Sequence, residues 1–265
     1  MAMGMARAIW NYRGFVLGSV QREFQTRYKN SLLGAAWTIL NPLSMIIVYT
    51  VIFSQLMQAR LPGVDNSLAY GIYLCSGILA WGFFSEVISR SQSVFLEHAN
   101  LIKKLSFPRI CLPLIVVLSA GVNFAIIFAL FLSFLLVTQN FPGWAVLGVI
   151  PVLSIQIAFS IGLGIILGVI NVFFRDVGQF MGIFLQFWFW FTPLVYPLSI
   201  LPEGILPLVN ANPMVPLITA YQGIFVYGEW PNWASLWPTA LLAVALCVLA
   251  LRMFRKRSGE MVDEL

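Results

Sequence analysis

Between Arg109 and Arg175 the chain runs sixty-five residues, 110 to 174, without a single Asp, Glu, Lys or Arg. An ionised side chain at the centre of a hydrocarbon layer costs a few kcal/mol or more, so membrane-crossing segments exclude these residues. A spanning helix needs roughly 20 apolar residues at about 1.5 Å each. The run therefore holds two crossings, with a break at Phe141-Pro142-Gly143-Trp144. Composition agrees, since 60% of the residues are hydrophobic and only 9% are charged, against about 25% charge in soluble domains. One polytopic, all-α membrane domain covering 1–265 is expected.

Other charge-free runs supply the remaining spans. Asn30 to Ala59 gives the first, with a kink expected at Asn41-Pro42, and Asn66 to Ser85 the second. The long run supplies the third and fourth, near 110–138 and 146–172. Val177 to Pro197 gives the fifth and Asn232 to Leu251 the sixth. Gly204 to Gly228 is also uncharged, but Pro207, Pro213 and Pro216 interrupt it. Proline removes a backbone donor and clashes with the preceding turn, and irregular backbone at membrane depth survives only where protein or water satisfies it. Residues 198–230 therefore read as a re-entrant helical segment before the last span.

Charge asymmetry sets the orientation. With six crossings, Arg60 is the one basic residue of fifteen that falls opposite the rest. The excess of Lys and Arg on one side places both termini in the cytoplasm. The N-terminus does not read as a cleavable signal, because Arg13 interrupts the candidate apolar core. Ile9, Val16, Val20 and Phe24 share a helical stripe with Asn11, Gln25 and Lys29 opposite. Arg13 and Arg27 blur that pattern. An amphipathic helix over 7–28, lying on the cytoplasmic leaflet, is expected; a loosely ordered basic tail is the alternative.

Catalytic and metal-binding signatures are missing. The sequence holds no GxxxxGK[ST], no GxSxG and no HExxH, and His98 is the only histidine. Cys75, Cys111 and Cys247 are scattered through apolar segments, so neither a disulfide framework nor a metal site is expected. The expected helix centres carry no carboxylate or basic group, which argues against ion coupling. No cofactor is expected in this chain, and no nucleic-acid partner. The energy source must lie in another polypeptide.

Aromatic residues crowd the fifth span, from Phe184 through Phe187, Trp188, Phe189, Trp190 and Phe191 to Tyr196. Phe184, Trp188 and Phe191 share a helical face, with Tyr49 and Phe53 on the first span as possible companions. These rings are either lipid-facing bulk or the wall of a conduit on which the C–H faces of sugars slide. Gly164 with Gly168, and Gly178 with Gly182, are small-xxx-small pairs suited to close helix packing within or between subunits. In the 95–108 loop, Glu97, His98, Asn100, Lys103 and Lys104 alternate with Leu101, Ile102 and Leu105. A short helix docked on a cytoplasmic partner would cover those apolar groups. Anchoring to lipid headgroups is the alternative.

Three stretches carry a family resemblance. Arg27-Tyr28-Lys29-Asn30-Ser31-Leu32-Leu33-Gly34, followed by Trp37 and Leu40-Asn41-Pro42-Leu43, resembles the opening of the ABC-2 type permeases that export polysaccharides. Asn100-Leu101-Ile102-Lys103-Lys104 with Phe107-Pro108-Arg109 resembles that family's loop between spans two and three. Asn171-Val172-Phe173-Phe174-Arg175-Asp176 resembles its turn after the fourth span. The resemblance implies the membrane half of an ATP-binding-cassette exporter in the bacterial inner membrane. Two copies would pair around a channel and bind two copies of a separate ATPase, which would hold the ATP and magnesium. It also implies that Glu97 to Lys104 is the coupling helix, with Arg22, Arg27 and Tyr28 in an N-terminal contact or gate. The implied substrate is a polysaccharide on a polyprenyl diphosphate lipid, such as O-antigen. Capsule, teichoic-acid and small-hydrophobe exporters are the rivals within the family. A membrane enzyme acting on lipid-linked sugars is the rival outside it, and would need carboxylates converging at one depth. A structural scaffold anchored by six helices is a third possibility.

Overall fold

A computed structural model describes residues 10–27, 34–53, 61, 66–104 and 107–265. Tyr28, residues 29–33, Leu105 and the side chain of Arg27 lie outside the described residues. Every regular element among the described residues is helical. In chain order these are α1 Arg13–Arg27, α2 Trp37–Val51, α3 Ala69–Glu97, α4 Ala99–Lys104, α5 Cys111–Val137, α6 Val149–Phe173 and α7 Asp176–Trp190. They continue as α8 Leu206–Asn210, α9 Met214–Gln222, α10 Trp233–Arg257 and α11 Glu260–Glu264.

Four segments are long and apolar enough to cross a membrane: Ala69–Glu97, Cys111–Val137, Gly143–Phe173 and Trp233–Arg257. The chain is thus a multi-pass membrane protein. Helices α2 and α7 each have 15 residues, which at 1.5 Å per residue is about 22 Å, short of a bilayer core of about 30 Å. The expected fifth span ended at Pro197, yet α7 stops at Trp190 because Pro193 bars the residues before it from helix. Conversely, α3 runs past the expected end at Ser85 to Glu97, so Glu86 and Arg90 lie in a helix and not in a loop.

Helix α3 is the axis of the bundle. Leu74, Ala80, Phe84, Val87, Ile88, Ser91 and Phe95 along its length are buried, and it packs against α2, α5, α6, α7 and α9. Its crossing with α6 is made by glycines. A carbon added at Gly168 would lie 2.5 Å from the backbone oxygen of Ser91, and one at Gly164 would lie 2.7 Å from Ser91 Cβ. Gly162 is as tight against α10, with Cys247 N at 2.9 Å. This small-xxx-small pair therefore serves packing within the chain, where missing side chains let two backbones approach. Between α5 and α6, the turn is closed by Gln139 at φ 58°, Gly143 at φ 64° and the Asn140 amide donating to Leu135.

One end of the bundle gathers the C-terminal ends of α3, α6 and α10, the start of α5, and α4 and α11. Lys103, Lys104, Arg109, Arg252, Arg255, Lys256 and Arg257 belong to this basic end. Helix α1 reaches it too. It packs along α5, with Val16 and Val20 buried and Phe15 5.3 Å from Phe107. The apolar stripe of α1 thus finds protein as its partner.

Gly168→Ala should lower the thermal unfolding midpoint of the detergent-purified protein by the equivalent of about 1–3 kcal/mol, because α3 and α6 must separate to admit a methyl group. Gly182→Ala, whose added carbon meets nothing within 4 Å, should leave the midpoint unchanged or raise it slightly.

Candidate functional site

Two places bring chemistry-bearing side chains together. At the basic end, α3 terminates at His98, where Nδ1 lies 2.9 Å from the carbonyl of Val94 and serves as its donor. Ser93 Oγ donates to Glu97 Oε1 at 2.6 Å. Six residues then form α4, and Lys103 and Lys104 sit in its last turn, where cations favour the exposed carbonyls. The helix is two-sided. Ile102 is buried and Leu101 half-buried against a cluster of Phe95, Phe254 and Met261. Glu97, His98, Asn100, Lys103 and Lys104 face outward. Arg109 donates to the carbonyl of Ser258, tying the loop that follows α4 to the joint before α11. The loop's apolar residues are thus partly covered by this chain's own C-terminus, and the side left open is polar.

Arg22, on α1, directs its donors at Gly18 O and Ser19 Oγ of its own helix. Glu23 is the α1 residue that reaches across. It pairs with Arg90 of α3 and accepts from Ser119 Oγ of α5 at 2.8 Å. Arg90 Nη1 also lies 3.4 Å from Glu86 Oε1, and Asn123 Nδ2 donates to Glu86 Oε2 at 2.9 Å. Two carboxylates do converge here. A guanidinium stands between them and each has a further donor, so this is a salt-bridge cluster and not a free acid/base pair. Glu86 and Asn123 also line a cavity of about 300 Å³ between α2, α3 and α5, with Asn41, Tyr49 and Phe124.

The second place is α7 and the irregular strip behind it. Phe180 stacks on Phe184 at 5.8 Å, and Phe184 lies 5.2 Å from Trp188. Phe184, Phe187, Trp190 and Phe191 are exposed. Trp188 turns inward, 5.1 Å from Phe84, and its indole N–H donates to Asn212 Oδ1 at 2.8 Å. It anchors the face that Phe184 and Phe191 present. Tyr49 and Phe53 join a separate chain of rings with Tyr70 and Tyr73, at spacings of 5.6–6.4 Å.

Residues 191–197 are non-helical, and their carbonyls are met by side chains. Tyr73 Oη shares its one proton between Pro193 O at 3.0 Å and Tyr196 O at 2.9 Å, Tyr70 Oη donates to Val195 O at 2.6 Å, and Gln222 Nε2 to Pro193 O at 2.9 Å. Tyr196 Oη closes back on Trp190 O. Helix α9 is held in turn by Tyr221, which donates to Gln156 Oε1 at 2.8 Å, while Gln156 Nε2 donates to Ala80 O at 2.7 Å. Asn171, first residue of the Asn-Val-Phe-Phe-Arg-Asp motif, donates to Gln92 O at 2.8 Å and accepts from the Gly178 amide at 3.1 Å. It fixes where α7 leaves α6.

Comparison with known proteins turns this geometry into a family. Residues 16–226 match the ABC-2 type transporter model. The chain belongs to the ABC-2 type transporter family. An O-antigen export system permease protein of Myxococcus xanthus is 34% identical over 98% of this chain and 99% of its own length. One from Klebsiella pneumoniae is 29% identical over 89% of this chain and 88% of its own. The polysialic acid transport protein of Escherichia coli is 21% identical over 91% and 92%.

The sequence assigned no role to Glu23, Arg90 or Asn212. For Arg90 the signal was Glu86 four residues before it, and in the expected fourth span Gln156 and Asn171 are the two amides; nothing in the sequence marked Glu23 or Asn212. Asn212→Ala would strand the indole N–H of Trp188 and open residues 191–192, at about 1–3 kcal/mol for each group left unpaired. The expected outcome is faster proteolysis within 191–212 in proteoliposomes, with the rate at the 258–265 tail unchanged.

Proposed function

We propose that this chain is the transmembrane subunit of an ATP-binding-cassette exporter that carries a lipid-linked polysaccharide of the O-antigen kind out of the cytoplasm. The observation that carries the reading is the near full-length match to O-antigen export permeases, at 34% identity in one case. The weaker likeness to a polysialic acid transporter supports a capsule polymer as the second reading. The chain sits in the bacterial inner membrane with six crossings and both termini inside. Helices α2 and α7 are the cores of the first and fifth crossings, and 198–230 dips in from the outer side and returns. Burial of Met214, Leu217, Ile218 and Tyr221 in α9 supports that placement.

Two copies pair, and two copies of a separate ATPase bind beneath them. The outward side of α4, with Glu97, His98, Asn100, Lys103 and Lys104, is the docking surface, while Leu101 and Ile102 seat the helix on its own bundle. Arg22, Arg27 and Tyr28 contribute an N-terminal contact or gate. Nucleotide binding in the ATPase shifts α4, the first and fifth crossings part from their counterparts, and the polymer slides past Phe184, Phe191, Tyr196, Tyr49 and Phe53. Aromatic rings suit this role because they attract sugar C–H faces without holding one register. The anionic lipid head is met by cytoplasmic Arg and Lys.

Lys103→Glu with Lys104→Glu should leave folding and insertion intact, because both side chains are exposed, and weaken co-purification with the ATPase at least about tenfold. Undiminished co-purification and normal surface polymer would remove α4 as the docking surface. Phe184→Ala with Phe191→Ala should slow export severalfold in a pulse-chase of surface polymer without changing protein level. An unchanged rate would assign these rings to the lipid.

A further inference from the structure

The cluster around Arg90 joins three helices through one side chain. Its position on α3 gives that junction a mechanical meaning. Arg90 lies seven residues, about two turns, before Glu97, where α3 hands over to α4. One guanidinium nitrogen serves Glu86 on the same helix, and the other serves Glu23 on α1. Glu23 is also held by Ser119 and Glu86 by Asn123, both on α5. The three charged side chains are between a fifth and two-fifths exposed, so the pairs are only partly weakened by solvent. Among the described residues α1 also meets the bundle through apolar side chains, including Val16, Val20 and the Phe15–Phe107 pair. Such contacts permit sliding, whereas a forked guanidinium between two carboxylates sets register and angle.

We propose that Arg90 is a positioning residue that latches the N-terminal helix to the helix bearing α4, so that α1 and α4 move as one body. For its consequence in transport the proposal rests on the docking of α4 given above. A displacement imposed on α4 then reaches, through Arg90, α1 and the wall of the cavity that Glu86 and Asn123 line.

The test uses the full chain alone in lipid nanodiscs. Nitroxides are placed at Gln25→Cys and Lys103→Cys, both exposed positions, in a background with Cys75, Cys111 and Cys247 replaced by Ala. With the labelled chain diluted in an excess of unlabelled cysteine-free chain, pulsed dipolar spectroscopy should give one narrow distance distribution. Arg90→Gln should broaden it at least about twofold, and Arg90→Lys should lie between, because an ammonium is a point charge without the planar fork. Glu23→Gln removes one charge and leaves Arg90 balanced by Glu86, so this variant folds even if Arg90→Gln does not. It should broaden the distribution as Arg90→Gln does, and the double variant should be no broader than either single, as expected for one shared interaction. Unchanged widths in Glu23→Gln, or effects that add, would overturn the latch. Docking is read separately, as co-purification of the ATPase with the unlabelled parental chain, so its failure leaves the latch measurement standing. Export at the parental rate by a Glu23→Gln chain with a loosened α1 would overturn the link to transport.

Discussion

Water is absent from a bilayer core, and that absence organises this molecule. Each buried amide, carbonyl or charge left without a partner there costs several kcal/mol. The long helices meet the demand through their own backbones. The breaks cannot, and at several of them among the described residues a side chain stands in for water. Tyr70, Tyr73, Gln222 and Asn212 serve residues 191–197. Asn171 serves the junction of α6 and α7. Gln156 and Tyr221 fasten α9 to α3. The polar residues of this apolar chain are therefore the joints of its frame.

Apolar packing supplies the rest, with less specificity. Between helices in lipid there is little hydrophobic gain, since tails are as apolar as leucine, and close contact must do the work. Gly162, Gly164 and Gly168 on α6 allow α3 and α10 to approach until backbone meets backbone. This makes α3, α6 and α10 a tight unit. Helices α2 and α7 lie outside it with exposed apolar faces, Ile47 and Val48 on one and Phe180 and Phe187 on the other. The result is a rigid unit flanked by two shorter helices.

Much of this was legible beforehand. Hydropathy and charge exclusion named the helical class, the four longest spans and the proline-broken segment, because bilayer thickness converts directly into residue count. The motif stretches led to the family that the comparisons identify. Helix ends were less legible. Periodicity sees the apolar part of α3 and not the three turns that follow it, where Arg90 and Glu86 are matched by α1 and α5. The direction of Trp188 was hidden too, since its fate depends on Asn212, twenty-four residues away.

The sequence alone determined that this chain lives in a membrane and is built of helices. Those conclusions follow from what lipid forbids at each position along the chain, a one-dimensional property. Tertiary structure decided which glycines touch, which side of α4 is left open and that Glu23, Glu86 and Arg90 meet. Such facts depend on the rotation and depth of each helix against its neighbours, and the many apolar residues that share one hydropathy cannot encode them individually.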